Sequence, residues 1–255
     1  MKILYAFDKN HAPWEKAAKY LGHELQPLNR ERVLDSFRGF KPDVVLLGGA
    51  LTVDPAVLKA VQEMPGLKVA VKRGEKDEPF NIPNNATVVV PIAPADDVRN
   101  GGPTMWFPLL DYTSLLPNES PGTYRPEFAS DVSYFGPYYP HFERALTEIC
   151  NSGLNVKLFG AGQMPYHQYL GRLSYEEEKD ACASARLTIV AKGDTNRQLD
   201  IWAMGGRHYT YHEGTTIEAL KQELSVRGMQ PTCRGELLSR HTLAHRLRDL
   251  LEELN

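Results

Sequence analysis

The stretch GDTNRQLDIWAMGG, residues 193–206, places Arg197 and Asp200 three residues apart near the start of an apolar helical pattern. Two readings suit that spacing. As a surface i,i+3 pair, the charges add about a few tenths of a kcal/mol to the helix. As a ligand site, the guanidinium offers a planar, permanently charged fork for phosphate oxygens. The carboxylate, one turn on, accepts hydrogen bonds from vicinal hydroxyls such as those of a ribose. Thr195 and Asn196 open the same helix, where free backbone N–H groups and the helix dipole favour an anion. A nucleoside diphosphate carries both features, about one helical turn apart.

A second chemistry belongs to the loop FDKNHAPW, residues 7–14. His11 lies just after the first strand, in a loop suited to line a cleft, and is a candidate general base; Asp8 can serve instead or orient the imidazole. Both also read as ordinary polar loop residues. His241 and His245 stand at i,i+4, a spacing able to bind zinc. No glutamate completes a HExxH pattern and no third ligand is evident, so no metal is expected. The nearest approach to a DxD-like carboxylate pair, ADDV at 95–98, lies in the other half of the chain. The aromatic run SYFGPYYPHF either stacks a base or sugar or packs around a proline-fixed turn. SYEEEKD reads as a solvated helix start whose charges suit the dipole.

These residues need elements to position them. Strand-like runs alternate with helical patterns throughout, which argues for parallel βαβ units. In the first half, KILYAF, HELQPLN, PDVVLLGG, KVAVKR and ATVVVPIA read as strands, with helices over 12–22, 30–40 and 54–64. Residues 94–126 break the rhythm with Pro, Gly, Asn and Ser and read as a linker with some packed apolar residues. The rhythm restarts at DVSYFG, followed by a helix, the strand NVKLFGAG, and a helix with a capping box at Ser174 and Glu177. The strand RLTIVAKG, the opening helix, the strand HYTY and an amphipathic C-terminal helix close the chain. The expected domains are 1–126, including the linker, and 127–255, with ligand at the carboxyl ends of the strands, between the halves.

Bulk properties bound the possibilities. The chain has 255 residues, 42% hydrophobic and 24% charged, as in soluble globular proteins. A net charge of -3 leaves no electrostatic footprint for nucleic acid, although a local basic cleft is compatible with it. The three cysteines form no CxxC spacing and suit a reducing compartment. MKILYAFD meets charge too early for a signal peptide, and no run approaches the roughly 18 apolar residues of a membrane span. The expectation is a soluble, cytoplasmic protein.

Five segments, in order, resemble a known family: DVSYFGPYYPHFERALTEI, NVKLFGAG, YLGRLSYEEEKDACASARLTI, NRQLDIWAMGG and HTLAHRLRDLL. They follow the pattern of CgeB-like, spore-maturation-type glycosyltransferases over roughly 131–255. The resemblance implies a GT-B fold: two Rossmann-like domains facing a cleft, here with a compact N-terminal domain, and a nucleotide-sugar held by the C-terminal one. It places Arg197 on the donor diphosphate and Asp200 where the family usually has a glutamate on the ribose hydroxyls. It places Gly136 where the chain approaches phosphate, and Gly171 and Arg172 on the segment lining the nucleobase. Gly160, in the glycine pair ending the next strand, joins this donor-binding set. Asp in place of Glu at 200 shortens the arm by one methylene, and the first loop lacks the glycines many GT-B enzymes place there.

The resulting expectation is a metal-independent glycosyltransferase that needs no cofactor. It would move a sugar from a donor such as a UDP-sugar to a hydroxyl acceptor. A saccharide is the default acceptor, with a hydroxymethylated base of viral DNA as the alternative. Competing readings are a sugar-nucleotide epimerase or hydrolase on the same fold, and a nucleotide-sugar-binding module without transfer activity.

Overall fold

The β-branched and leucine-rich runs of the first half become neighbouring parallel strands, the first three each followed by a helix with buried apolar residues. The computed structural model describes residues 1–7, 11–48, 51, 53–72, 88–90, 113–138, 142–191, 195–211, 216–225 and 234–254. In chain order the first elements are β1 (Lys2–Ala6), α1 (Ala12–Tyr20), β2 (Glu24–Pro27), α2 (Val33–Phe40), β3 (Val44–Gly48), α3 (Pro55–Gln62), β4 (Lys68–Lys72) and β5 (Val88–Val90). The strands pair in parallel in the order β2-β1-β3-β4-β5. β3 is buried along its whole length, as a strand covered on both faces must be. Helix α3 starts where Pro55 fixes the first turn and the Asp54 carboxylate accepts from the backbone N–H groups of Ala56 and Val57.

The second half repeats the scheme: β6 (Ser130–Phe135), α4 (Glu143–Cys150), β7 (Val156–Phe159), α5 (Tyr175–Ser184), β8 (Ala185–Ala191), α6 (Thr195–Ala203) and β9 (His208–Tyr211). Its parallel order is β7-β6-β8-β9. The capping box is present, with Ser174 and Glu177 satisfying each other's backbone N–H groups at the head of α5. Helices α7 (Ile217–Ser225), α8 (Arg234–Arg240) and α9 (Leu243–Glu253) follow. The first two had no counterpart in the sequence reading. For α7 the signal was present in TTIEALKQELS: Thr216 Oγ1 accepts from Ala219 N at 3.1 Å, and Leu220 and Leu224 are buried at i,i+4.

The chain divides into two compact units, Met1–Leu110 with Thr242–Asn255, and Asp111–His241. Helix α9 therefore belongs to the first unit, where it packs on α1, although the sequence reading grouped it with the second half. The leucines at 243, 247, 250 and 251 are buried there, and Thr242 caps the helix by accepting from His245 N. Thr242 Oγ1 also lies 2.7 Å from His245 Nδ1, which gives that histidine a place in the cap.

The second unit begins before the 126/127 boundary read from composition. The described part of the expected linker, from Thr113 onward, is a strap fastened along that unit. Thr113 N donates to His241 O at 2.8 Å, Gly122 N to Met204 O at 2.9 Å, and Arg125 N to Ser184 Oγ at 2.8 Å. Leu115 is fully buried, and Arg234 donates to Glu119 O at 2.6 Å and to Ala203 O at 2.8 Å. A proline-rich composition hid this, because such segments satisfy their backbone with side chains rather than with a ladder.

Candidate functional site

At the carboxyl ends of β6 and β7 three glycines are joined by backbone contacts. Gly136 N donates to Phe159 O at 3.1 Å, and Gly160 N donates to Gly171 O at 3.0 Å. The segment before Gly171 runs alongside β7, with Leu158 N donating to Gln168 O at 3.0 Å and Leu170 N to Leu158 O at 2.9 Å. Gly160 is required sterically: its φ is +154°, and a Cβ there would lie 2.0 Å from Gly136 O. The Tyr169 hydroxyl fastens the following turn, donating to Gly160 O at 2.9 Å and also contacting Gly162 O. Leu170 and Arg172 are exposed beside it.

Arg197 reaches the same end of the sheet from α6. Its Cζ sits 5.4 Å from the centre of the Phe135 ring, the last residue of β6. Phe135 in turn stacks on Phe159, the last of β7, with centroids 5.2 Å apart and planes at 16°. The guanidinium is also ion-paired to Glu178 on α5, with only 21% and 24% of the two side chains exposed. Burial opposes the Arg197 charge, but Glu178, Cys182 and Asp200 together push its pKa up. Glu178 belongs to the acidic helix start that was expected to be solvated. Glu176 is indeed mostly exposed, but Glu178 turns inward and Lys179 is buried against Glu119 and Glu176.

Asp200 faces elsewhere. Its Oδ1 accepts from Thr113 Oγ1 and Ser114 N, both at 2.7 Å, and from Ser114 Oγ at 3.0 Å, and so holds the head of the strap. Burial raises its pKa against the pull of those donors and of Arg197. The Arg197 and Asp200 side chains thus bind different partners instead of forming the exposed i,i+3 pair. Thr195 and Asn196 open α6 at the carboxyl end of β8. Gln198 ties the helix to β9 through Thr210 Oγ1 at 3.1 Å.

The structure therefore brings Gly136, Gly160 and Gly171 together and sets Arg197 over Phe135, the residue before Gly136; Phe135, Glu178 and Tyr169 were not singled out by the sequence reading. Tyr169 and Glu178 lay in quoted motifs, but nothing in their spacing shows which way they point. His11 belongs to the first unit: it is half-buried, precedes α1 without capping it, and its carbonyl accepts from Glu15 N at 2.9 Å. Asp8, the other proposed base, and ADDV at 95–98 lie outside the described residues. Among the described residues no group of three His, Cys, Asp or Glu side chains is arranged to hold a metal ion, and no helix is long and apolar enough to cross a membrane.

Two parallel sheets of this wind define the GT-B fold, built from Rossmann-like domains. Comparison with solved structures places the chain beside glycosyltransferases and sugar-nucleotide enzymes of that fold. It is similar to AviGT4, a glycosyltransferase involved in avilamycin A biosynthesis, with a TM-score of 0.62, 13% identity, and coverage of 100% of this chain and 97% of that one. It is also similar to a UDP-GlcNAc 2-epimerase from Neisseria meningitidis solved with UDP-GlcNAc, with a TM-score of 0.52, 11% identity, and coverage of 100% and 99%. No family model matches the chain, and no curated protein matches it in sequence.

Proposed function

We propose that the protein is a glycosyltransferase of the CgeB-like type that transfers a sugar from a nucleoside diphosphate sugar to a hydroxyl acceptor. The observation that carries this reading is that Arg197 lies over Phe135 at the carboxyl end of β6, the strand end at which Gly136, Gly160 and Gly171 come together. Glycines there let a ligand approach the backbone, and a held guanidinium supplies charge for a leaving diphosphate. In this reading Arg197, with Thr195 and Asn196 at the head of α6, takes the diphosphate. Gly171 and Arg172 border the nucleobase. Asp200 has one oxygen committed to Thr113 and Ser114, so a ribose hydroxyl would be taken by Oδ2. His11, or Asp8, removes the acceptor proton.

Charge stabilisation by Arg197 and helix N-termini requires no divalent cation, so turnover in excess EDTA supports this mechanism. Loss that magnesium or manganese restores defeats it. The epimerase reading is kept because a UDP-GlcNAc 2-epimerase shares the fold over the whole chain. A thermal-shift panel of UDP-, GDP-, CMP- and dTDP-sugars, followed by product analysis, tests the proposal. Sugar transferred only when an acceptor is added, whether a saccharide or hydroxymethylated DNA, supports it. Isomerised or hydrolysed donor without acceptor favours the alternative, and stabilisation by no nucleotide removes both.

A further inference from the structure

Glu178 is the feature of this site that donor binding does not by itself explain. A diphosphate taken up by Arg197 arrives at a guanidinium that lies over the Phe135 ring and already pairs with a mostly buried carboxylate. The two groups compete for the same N–H donors. We propose that Glu178 is a positioning residue that stands in for the anion in the empty site, holding Arg197 ready and setting how tightly a diphosphate binds. The proposal rests on the functional reading above.

Three features support this role. Glu178 sits in the first half of α5, behind the capping box that fixes the helix start, so its backbone position is well determined. The Phe135 ring lies 5.4 Å from the Arg197 Cζ and gives the guanidinium a second contact besides Glu178. Both side chains are mostly buried, so the carboxylate is poorly screened by solvent and acts on an incoming anion as well as on the arginine. A buried Arg–Glu pair is costly to desolvate, and here it holds the guanidinium over Phe135, the residue before Gly136.

The role makes binding and stability move in opposite directions when the charge is removed. Glu178→Gln keeps an acceptor oxygen for Arg197 and removes the like charge facing an anion. Calorimetry with inorganic pyrophosphate should show that variant binding on the order of tenfold tighter than wild type, the scale of one unit charge removed at short range. Its melting temperature should fall. Glu178→Asp, which keeps the charge but withdraws it by one methylene, should bind pyrophosphate with intermediate affinity, and it answers the question should the Gln variant not fold. Equal or weaker pyrophosphate binding by the variants, with wild-type binding intact, overturns the role of Glu178 and leaves the site standing. Undiminished pyrophosphate binding by Arg197→Ala would instead show that the anion site itself is misplaced, and both inferences would fall.

Discussion

The two sheets wind alike, β2-β1-β3-β4 in the first and β7-β6-β8-β9 in the second, but their carboxyl edges are finished with different chemistry. In both, a glycine lets a neighbouring chain pass. A Cβ on Gly48 would lie 2.3 Å from Phe7 O, and one on Gly160 would lie 2.0 Å from Gly136 O. Beyond that, the first edge carries an aromatic plug: Phe7 meets Trp14 edge-on at 5.5 Å, and Trp14 meets Tyr5 at 5.4 Å, all buried. The second edge also stacks two rings, Phe135 and Phe159, but covers them with a guanidinium and its carboxylate partner. Three buried rings pack the first strand end with apolar surface, whereas a charge held over a ring in a half-buried position keeps most of its attraction for an anion. The same scaffold thus packs one strand end with rings and sets a charge at the other.

The largest effect should come from closing the glycine passages. Gly160→Ala combines backbone strain with overpacking and should cost roughly 3 kcal/mol or more, and Gly48→Ala somewhat less. Chemical denaturation measures both. The comparison sharpens if UDP affinity drops only for Gly160→Ala among folded protein, and breaks if both lower it equally. Arg197→Ala should cost about 3 kcal/mol of stability, because it strands the Glu178 carboxylate, and should weaken UDP binding by about 1.5–3 kcal/mol. Adding Glu178→Gln should restore part of the stability and, by removing the like charge near the anion, a smaller part of the binding. A single variant as stable as wild type would show that the pair does not hold the edge.

Chemistry at the first edge is tested by His11→Ala, which should lower turnover by about 10²-fold with donor affinity unchanged. Normal turnover there, with loss in Asp8→Ala, transfers the role to the aspartate. A smaller effect is expected from Asp200→Asn. The folded pKa of Asp200 stands above its ordinary 3.8 because burial disfavours the charge. Its contribution to stability is therefore full below the unfolded value and declines as pH rises through the folded one. Asn keeps the Oδ1 acceptor without that decline, so the melting difference should move in favour of Asn as pH is raised from about 4 to about 8. A difference that moves the other way refutes burial as the dominant influence. The smallest effect belongs to Arg38→Ala in the first unit, which breaks an ion pair with Glu63 that is 68% and 41% exposed. It should change stability by less than about 0.5 kcal/mol.

Local signals made much of the fold legible. The buried runs of β1, β3 and β8, the Pro55 start of α3 and the Ser174–Glu177 box depend on near neighbours and were readable as such. Gly136, Gly160 and Gly171 were named through the family resemblance and the glycines ending β7, and of the three only Gly160 stands where a Cβ would meet another backbone. What stayed hidden depends on distant partners. Asp200 meets Thr113 and Ser114 from across the chain, so its spacing from Arg197 suggested a shared ligand that its contacts do not require. Glu178 sat among four charged neighbours, and only the packing of α5 shows that it turns inward while Glu176 does not. The strap lacked any periodic pattern and was read as a tether.

The return of α9 to the first unit bears on the order in which the protein can be made. The first unit is interrupted at Leu110 and resumes at Thr242, so its last helix leaves the ribosome after the whole second unit has been synthesised. Until then α1 lacks the neighbour against which α9 buries its leucines. The second unit, continuous from Asp111 to His241, has no such wait, and the contact of Thr113 N with His241 O joins its two ends. During translation the earlier-made half therefore stays incomplete while the whole later-made half is synthesised, with α1 left open to chaperones and proteases until α9 arrives.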